Sequence, residues 1–144
     1  MATNIQTQVT IRSAAAEDIP AIAALIKPYV DEGILLERTY DEFGDLLPNF
    51  FVAVDEHGVI VGCAALEIYS RKLAEIRSLA VSPTAQGQGV GHLLVEACVE
   101  RAREHNVLEI MAITASDAFF QSCGFDYTLP SLKRALFLQT RERL

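Results

Sequence analysis

The spacing of apolar and polar positions changes several times along the chain, and each change marks an element. Val9-Thr10-Ile11-Arg12 alternates, which predicts a strand with one buried face. Ile22, Leu25, Ile26 and Tyr29 recur at helical spacing. They predict an amphipathic helix capped by Asp18, tolerant of Pro20 in its first turn, and ending near Gly33. Thr39-Tyr40-Asp41-Glu42 has the spacing of a capping box and opens a short helix through Leu47, stopped by Pro48. Residues 50–54 read as a strand, Asp55-Glu56-His57-Gly58 as a turn, and residues 59–69 as the returning arm of a hairpin. A further strand over 74–81 ends at Ser82-Pro83.

Beyond a glycine-rich stretch, Val90, Leu93, Leu94, Ala97, Cys98 and Arg101 follow the 3.6-residue period, predicting a long helix to about Asn106. Residues 107–114 read as a strand. Residues 116–123 read as a short helix with Gly124 as a left-handed cap. Late strands are expected at 127–129 and 136–139. The order β-α-α-β-β-β-α-β-α-β predicts one α/β domain over residues 1–144, built on a mixed sheet.

Charge narrows the choice of partners. Twelve Lys+Arg against nineteen Asp+Glu leave a net charge of −7, so nucleic acid and anionic membranes are poor candidates. No run of 18 apolar residues suggests a membrane span, and the first residues carry no signal-peptide pattern. Cys63, Cys98 and Cys123 are odd in number and widely spaced, as expected of free thiols in the cytoplasm, and no His/Cys spacing suggests a metal. The 51% hydrophobic content permits a homodimer interface without demanding one. Lys133, Arg134, Arg141 and Arg143 form a basic tail on this acidic body, which raises the question of an anionic ligand.

The feature richest in chemistry is Gln86-Gly87-Gln88-Gly89-Val90-Gly91, between a strand and a long helix. Glycines allow close backbone approach and positive φ, and the free N–H groups of a helix start bind phosphate without any cationic side chain. Two nucleotide motifs fail on spacing. A P-loop needs Lys-Ser/Thr after its last glycine, and here His92-Leu93 follows. The dinucleotide fingerprint needs G-x-G-x-x-G, and here the glycines are G-x-G-x-G.

Gln86-x-x-Gly89-x-Gly91 does resemble the Q/R-x-x-G-x-G/A acetyl-CoA loop of the GNAT acetyltransferase superfamily, and the element order is similar over nearly the whole chain. Phe119-Phe120-Gln121-Ser122-Cys123-Gly124-Phe125 resembles that family's late aromatic segment. Ile34-Leu35-Leu36-Glu37-Arg38, Glu75-Ile76-Arg77-Ser78-Leu79-Ala80-Val81 and Leu129-Pro130 with Lys133 look like the acetyltransferase domain of N-acetylglutamate synthases, in a short stand-alone form. The resemblance implies a mixed, mostly antiparallel sheet flanked by helices, with strands splayed at the acetyl-CoA site. It also implies that residues 86–91 bind the acetyl-CoA phosphates, while Leu79, Ala80 and Val81 pair with the pantetheine arm and a backbone N–H near Leu79 steadies the oxyanion.

For acetyl transfer, the amine must lose a proton and the thiolate must leave. The resemblance implies Glu75 as general base, against the rival reading of an ion pair with Arg77 on the same strand face. Many GNAT enzymes place a tyrosine where Phe120 stands, and Phe120 donates no proton. Ser116 matches a serine of the synthases, although a serine there is also a preferred helix cap. Tyr127 is another nearby hydroxyl, and water can serve as the donor. Arg38 and Arg77 are the substrate-side cations, suited to gripping a carboxylate through paired hydrogen bonds, with Ser78 beside them. Glu37 stands where some synthases have a basic residue, and Ser78 where they have cysteine.

The implied activity is N-acetylation of a small amino acid with acetyl-CoA, L-glutamate leading, in arginine biosynthesis and without a metal. The rivals are a GNAT enzyme for another amine (a polyamine, an aminoglycoside, a protein N-terminus) and a CoA-binding module without catalysis.

Overall fold

The computed structural model describes residues 8–127, 136–138 and 140. Five strands form one sheet in chain order: β1 (Val9–Ser13), β2 (Phe50–Asp55), β3 (Ile60–Ile68), β4 (Ala74–Val81) and β5 (Ile110–Met111). The first four are antiparallel neighbours, and only β4 and β5 run parallel. Four helices flank them: α1 (Ile19–Asp31), α2 (Tyr40–Leu46), α3 (Val90–Glu104) and α4 (Asp117–Ser122).

Two apolar layers sandwich the sheet. On one face α3 lays Val90, Leu94, Val95, Cys98 and Ala102 over Ala64, Leu66, Ala74 and Ile76. On the other, Ile22 and Ile26 of α1 and Phe43 of α2 cover Phe50, Val52, Cys63, Ala65 and Ala80. Close approach of α3 to β3 depends on Gly62, where a Cβ would stand 2.9 Å from Leu94 Cδ1.

The Thr39 capping box forms as the sequence predicts: Thr39 Oγ1 accepts from Glu42 N at 3.2 Å, and Glu42 Oε1 from Thr39 N at 2.8 Å. Gly124 takes φ = 93° after α4. Three expectations need correction. Asp18 does not cap α1. Its carboxylate turns back to Ala15 N (2.7 Å) and Arg12 (2.7 and 3.1 Å), closing a 3-10 turn over Ala16–Asp18. The strand expected over 107–114 shrinks to Ile110–Met111. Val107 N bonds to the end of α3 and Leu108 N to Arg71 O, and after Met111 the chain leaves β4 and has no ladder to join. Residues 136–138 are exposed and form no strand. Positions 128–129 and 139 of the expected late strands, Pro130 and the basic residues Lys133, Arg134, Arg141 and Arg143 lie outside the described residues.

Candidate active site

The site is built around an irregularity in β4. Cys63 pairs with Ala80 but Ala65 with Arg77, so β4 carries an extra residue against β3. Ser78 absorbs it at φ = 55°, a left-handed conformation unusual for a non-glycine residue. The bulge shifts the alternation of faces. Before it, Ala74 and Ile76 face α3; after it, Leu79 and Val81 do. Ser78 itself is buried, with its carbonyl accepting from Cys63 Sγ at 3.2 Å.

On the α1/α2 face, polar groups gather. Arg38 Nε donates to Ser78 Oγ at 2.8 Å. Arg77 Nη1 donates to Glu67 Oε1 at 2.8 Å. Glu67 stands opposite Glu75 in register, and the Tyr69 hydroxyl donates to Glu75 Oε1 at 2.5 Å. Arg38, Arg77 and Glu67 line a cavity of about 390 Å³ with Glu42, Asp45 and Asn49. Arg38 and Arg77 were expected to face the substrate, and the fold brings them together with Ser78. The expected rivalry over Glu75 resolves otherwise: Arg77 pairs with Glu67, and Glu75 is bound by Tyr69.

Electrostatics distinguish the two arginines. Burial, then the neighbouring charge of Arg77, pulls Arg38 below the usual arginine range. No carboxylate ion-pairs with it among the described residues. For Arg77 burial acts downward, but the Glu67 hydrogen bond, helped by Glu75, outweighs it and the net shift is upward. Burial, then the bond to Glu75, pushes the Tyr69 hydroxyl up to about 12.

Beside this bowl the sheet opens. β4 and β5 pair only at Ala74↔Ile110 and Glu75↔Met111, so from Ile76 to Val81 that edge of β4 has no strand partner among the described residues. Glycines at φ = 80° (Gly87) and 82° (Gly89) lead into α3. The first turn of α3 holds the N–H groups of Val90, Gly91 and His92, ahead of the bond from Leu93 N to Gly89 O. Gln86 Nε2 donates to Tyr29 Oη (3.0 Å) and Val81 O (3.1 Å), and Tyr29 Oη donates to Val81 O at 2.7 Å. Side chains thus tie the loop to the end of β4 and to α1. At Gly91 a Cβ would meet the Phe119 ring at 3.1 Å, so this glycine also makes room for α4. Gln88 lies in the loop between the two left-handed glycines.

Ser116 is exposed, and its side chain makes no cap bond with α4. The expected capping role is absent because Ser116 has φ = −111° and ψ = 60°, while its N–H donates to Thr114 Oγ1. Tyr127 donates its hydroxyl to Asp117. The sequence did not mark Glu67, Tyr69 or Tyr29 as site residues, and Tyr29 entered only through the helical period of α1. Alternation along a hairpin would have placed Glu67 beside Glu75 once the register was known, but the contacts of Tyr69 and Tyr29 carry no local signal.

A sheet that opens between two parallel strands, next to a helix entered through left-handed glycines, defines an α/β fold with a cleft between β4 and β5 at the start of α3. The chain belongs to the acetyltransferase (GNAT) family, whose profile matches residues 17–125, and is an acetyltransferase of that type. GNAT enzymes use acetyl-CoA. The chain is 38% identical over 115 residues to an uncharacterized N-acetyltransferase of Chlorobaculum tepidum, covering 80% of this chain and 74% of that one. It is 35% identical over 117 residues to an amino-acid acetyltransferase of Mycobacterium tuberculosis, covering 80% and 67%. The crystal structure of Neisseria gonorrhoeae N-acetylglutamate synthase complexed with coenzyme A and N-acetyl-glutamate superposes with a TM-score of 0.77 at 35% identity, covering 86% of this chain and 30% of that one. The chain likewise spans only 30% of a Pasteurella multocida amino-acid acetyltransferase. Among the described residues no helix is long and apolar enough to cross a membrane, and no group of His, Cys, Asp and Glu is placed to hold a metal ion.

Proposed function

We propose that this single domain transfers the acetyl group of acetyl-CoA to the α-amine of a free amino acid, L-glutamate first among the acceptors, in the cytoplasm. The observation that carries the reading is Arg38: half-buried, unpaired with any carboxylate among the described residues, and fixed by Ser78 in a bowl whose Glu67 stands opposite Glu75 in register. A carboxylate entering there would relieve the repulsion between Arg38 and Arg77 and accept two parallel hydrogen bonds. Relatives named amino-acid acetyltransferase add support.

Bound acetyl-CoA would supply the thioester. Residues 86–91 fit its phosphates, because the first-turn amides of α3 and its dipole favour an anion. Leu79, Ala80 and Val81 lie on the unpaired edge of β4, where an extended pantetheine arm can bond as a strand would. A backbone N–H near Leu79 donates to the carbonyl oxygen as it gains charge. Glu75 takes the proton that the ammonium must lose before the amine attacks. Ser116 or water returns a proton to the departing thiolate. The test is a thiol-release assay across free amino acids and other amines. Turnover of glutamate is the expected result, and turnover of none of the amino acids would refute the acceptor class.

One observation favours a second reading. Glu42, Asp45 and Glu67 line the same bowl, a set of acids that suits a cationic amine. Competition by spermidine rather than by glutamate in the same assay would select it.

A further inference from the structure

Glu75 stands almost out of reach of water, and a base in that position needs a way to shed the proton it collects. At the turn end of the β3–β4 hairpin, Tyr69 brings its hydroxyl 2.5 Å from Glu75 Oε1 and 3.4 Å from Glu67 Oε1. One hydroxyl proton therefore stands between two carboxylates that face each other in register. Exposure rises from Glu75, at 8%, to Tyr69, at 49%. Arg77 holds the Glu67 oxygen nearest the tyrosine at 2.8 Å. From β5 the register partner of Glu75 is Met111, which does not titrate. The other charged groups of the bowl are Arg38, Glu42 and Asp45; Arg38 acts by charge on Arg77 and Glu67, and Glu42 on Arg38 and Arg77.

We infer that Tyr69 is the proton outlet of Glu75, a positioning residue that acts through the base; the inference rests on the reading of Glu75 given above. The step balances without any electron transfer. An N–H bond of the acceptor's ammonium breaks and an O–H bond forms on Glu75. That proton passes to the Tyr69 oxygen while Tyr69 releases its own to Glu67 or to water. The Tyr69 hydroxyl first turns from Glu75 toward Glu67 or water, and the concerted shift then leaves its new proton on the Glu75 side, which restores the starting bond; the phenol never becomes an anion, so its resistance to ionisation is no obstacle.

Tyr69→Phe removes one oxygen at a half-exposed position. The readouts are kcat and KM across pH, with acetyl-CoA and the amino acid turned over best. Loss of the outlet is expected to lower kcat about tenfold, a part of what positioned proton transfer contributes, with KM unchanged. Glu75→Gln separates the two readings. If that variant keeps full kcat, or if no amino acid is acetylated, the base reading fails and the outlet with it. If Glu75→Gln is inactive but Tyr69→Phe keeps the parent's kcat across pH, the outlet alone is overturned. Should Tyr69→Phe not fold, a proton inventory of kcat in the unaltered enzyme decides. A bowed curve means two protons in flight and supports the outlet, and a straight one overturns it.

Discussion

Arg38 donates to the hydroxyl of Ser78, 40 positions away in sequence, and Ser78 is the residue at which β4 bulges. The bond ties the segment between α1 and α2 to β4, which borders both the opening in the sheet and the bowl. It also consumes Nε and leaves the terminal N–H groups of Arg38 for a ligand.

Arg38→Ala should therefore raise the KM for the amino acid roughly 10- to 100-fold, the worth of a charge-assisted hydrogen-bonded pair, while coenzyme affinity measured by calorimetry stays constant. Arg38→Lys should recover little, because an ammonium cannot reproduce the planar fork. Equal losses for both substrates would contradict the assignment.

Ser78 at φ = 55° makes a prediction about stability. Ser78→Gly relieves the backbone at the cost of one hydrogen bond and should be nearly neutral in urea denaturation. Ser78→Val keeps the strained backbone, adds a β-branched side chain, and should cost about 1–3 kcal/mol. Acceptor KM should rise in both, since each loses the oxygen that holds Arg38.

Two glycine-to-alanine changes should act in opposite directions. Gly89 has φ = 82° at the entrance to α3, so Gly89→Ala is expected to cost about 1–2 kcal/mol and to weaken coenzyme binding. Gly44 sits inside α2 with open space around it and no positive φ, so Gly44→Ala should stabilise by about 0.5–1 kcal/mol and leave binding alone. Thermal denaturation with and without CoA separates the two effects.

Thiol chemistry offers a third check on packing. Burial pushes Cys63 and Cys98 up to about 12, and Cys123, half-buried, is raised as well. A thiol reagent at pH 8 should label the native protein slowly and only at Cys123, because the thiolate is the reactive form. All three cysteines should react in guanidinium.

Acid stability should depend on Asp18. The Arg12 hydrogen bond, against burial and with help from Ala15 N, holds its carboxyl below the ordinary aspartate range. The contribution is complete above the unfolded value near ~3.9 and is lost as pH falls through the lower folded value. Arg12→Ala should cost about 1 kcal/mol at neutral pH, because the Arg12 side chain is 45% exposed and water screens the pair. The difference between variant and parent should vanish at low pH in denaturant titrations.

Local chemistry reads well from sequence wherever neighbours in the chain decide it. The Thr39 capping box, the left-handed Gly124 and the glycine entrance to α3 depend on residues a few positions apart, and all three stand as expected. The misjudged elements depend on distant partners. Residues 112–114 keep a strand-like pattern but diverge from β4, and a strand without a neighbour has no ladder. Asp18 has the right type and position for a cap, but Arg12 on β1 offers it a charge-assisted bond that a helix start cannot match.

The residues alone determined the family, the fold class and the glycine entrance to α3, because repeating side-chain periods and left-handed turns need only short-range pattern. Tertiary structure decided which carboxylate each charged group would answer to: Arg77 went to Glu67, Tyr69 to Glu75, and Arg38 was left open. Those choices follow from hairpin register and a single bulge in β4, and a shift of one residue in either would send every side chain beyond it to the opposite face.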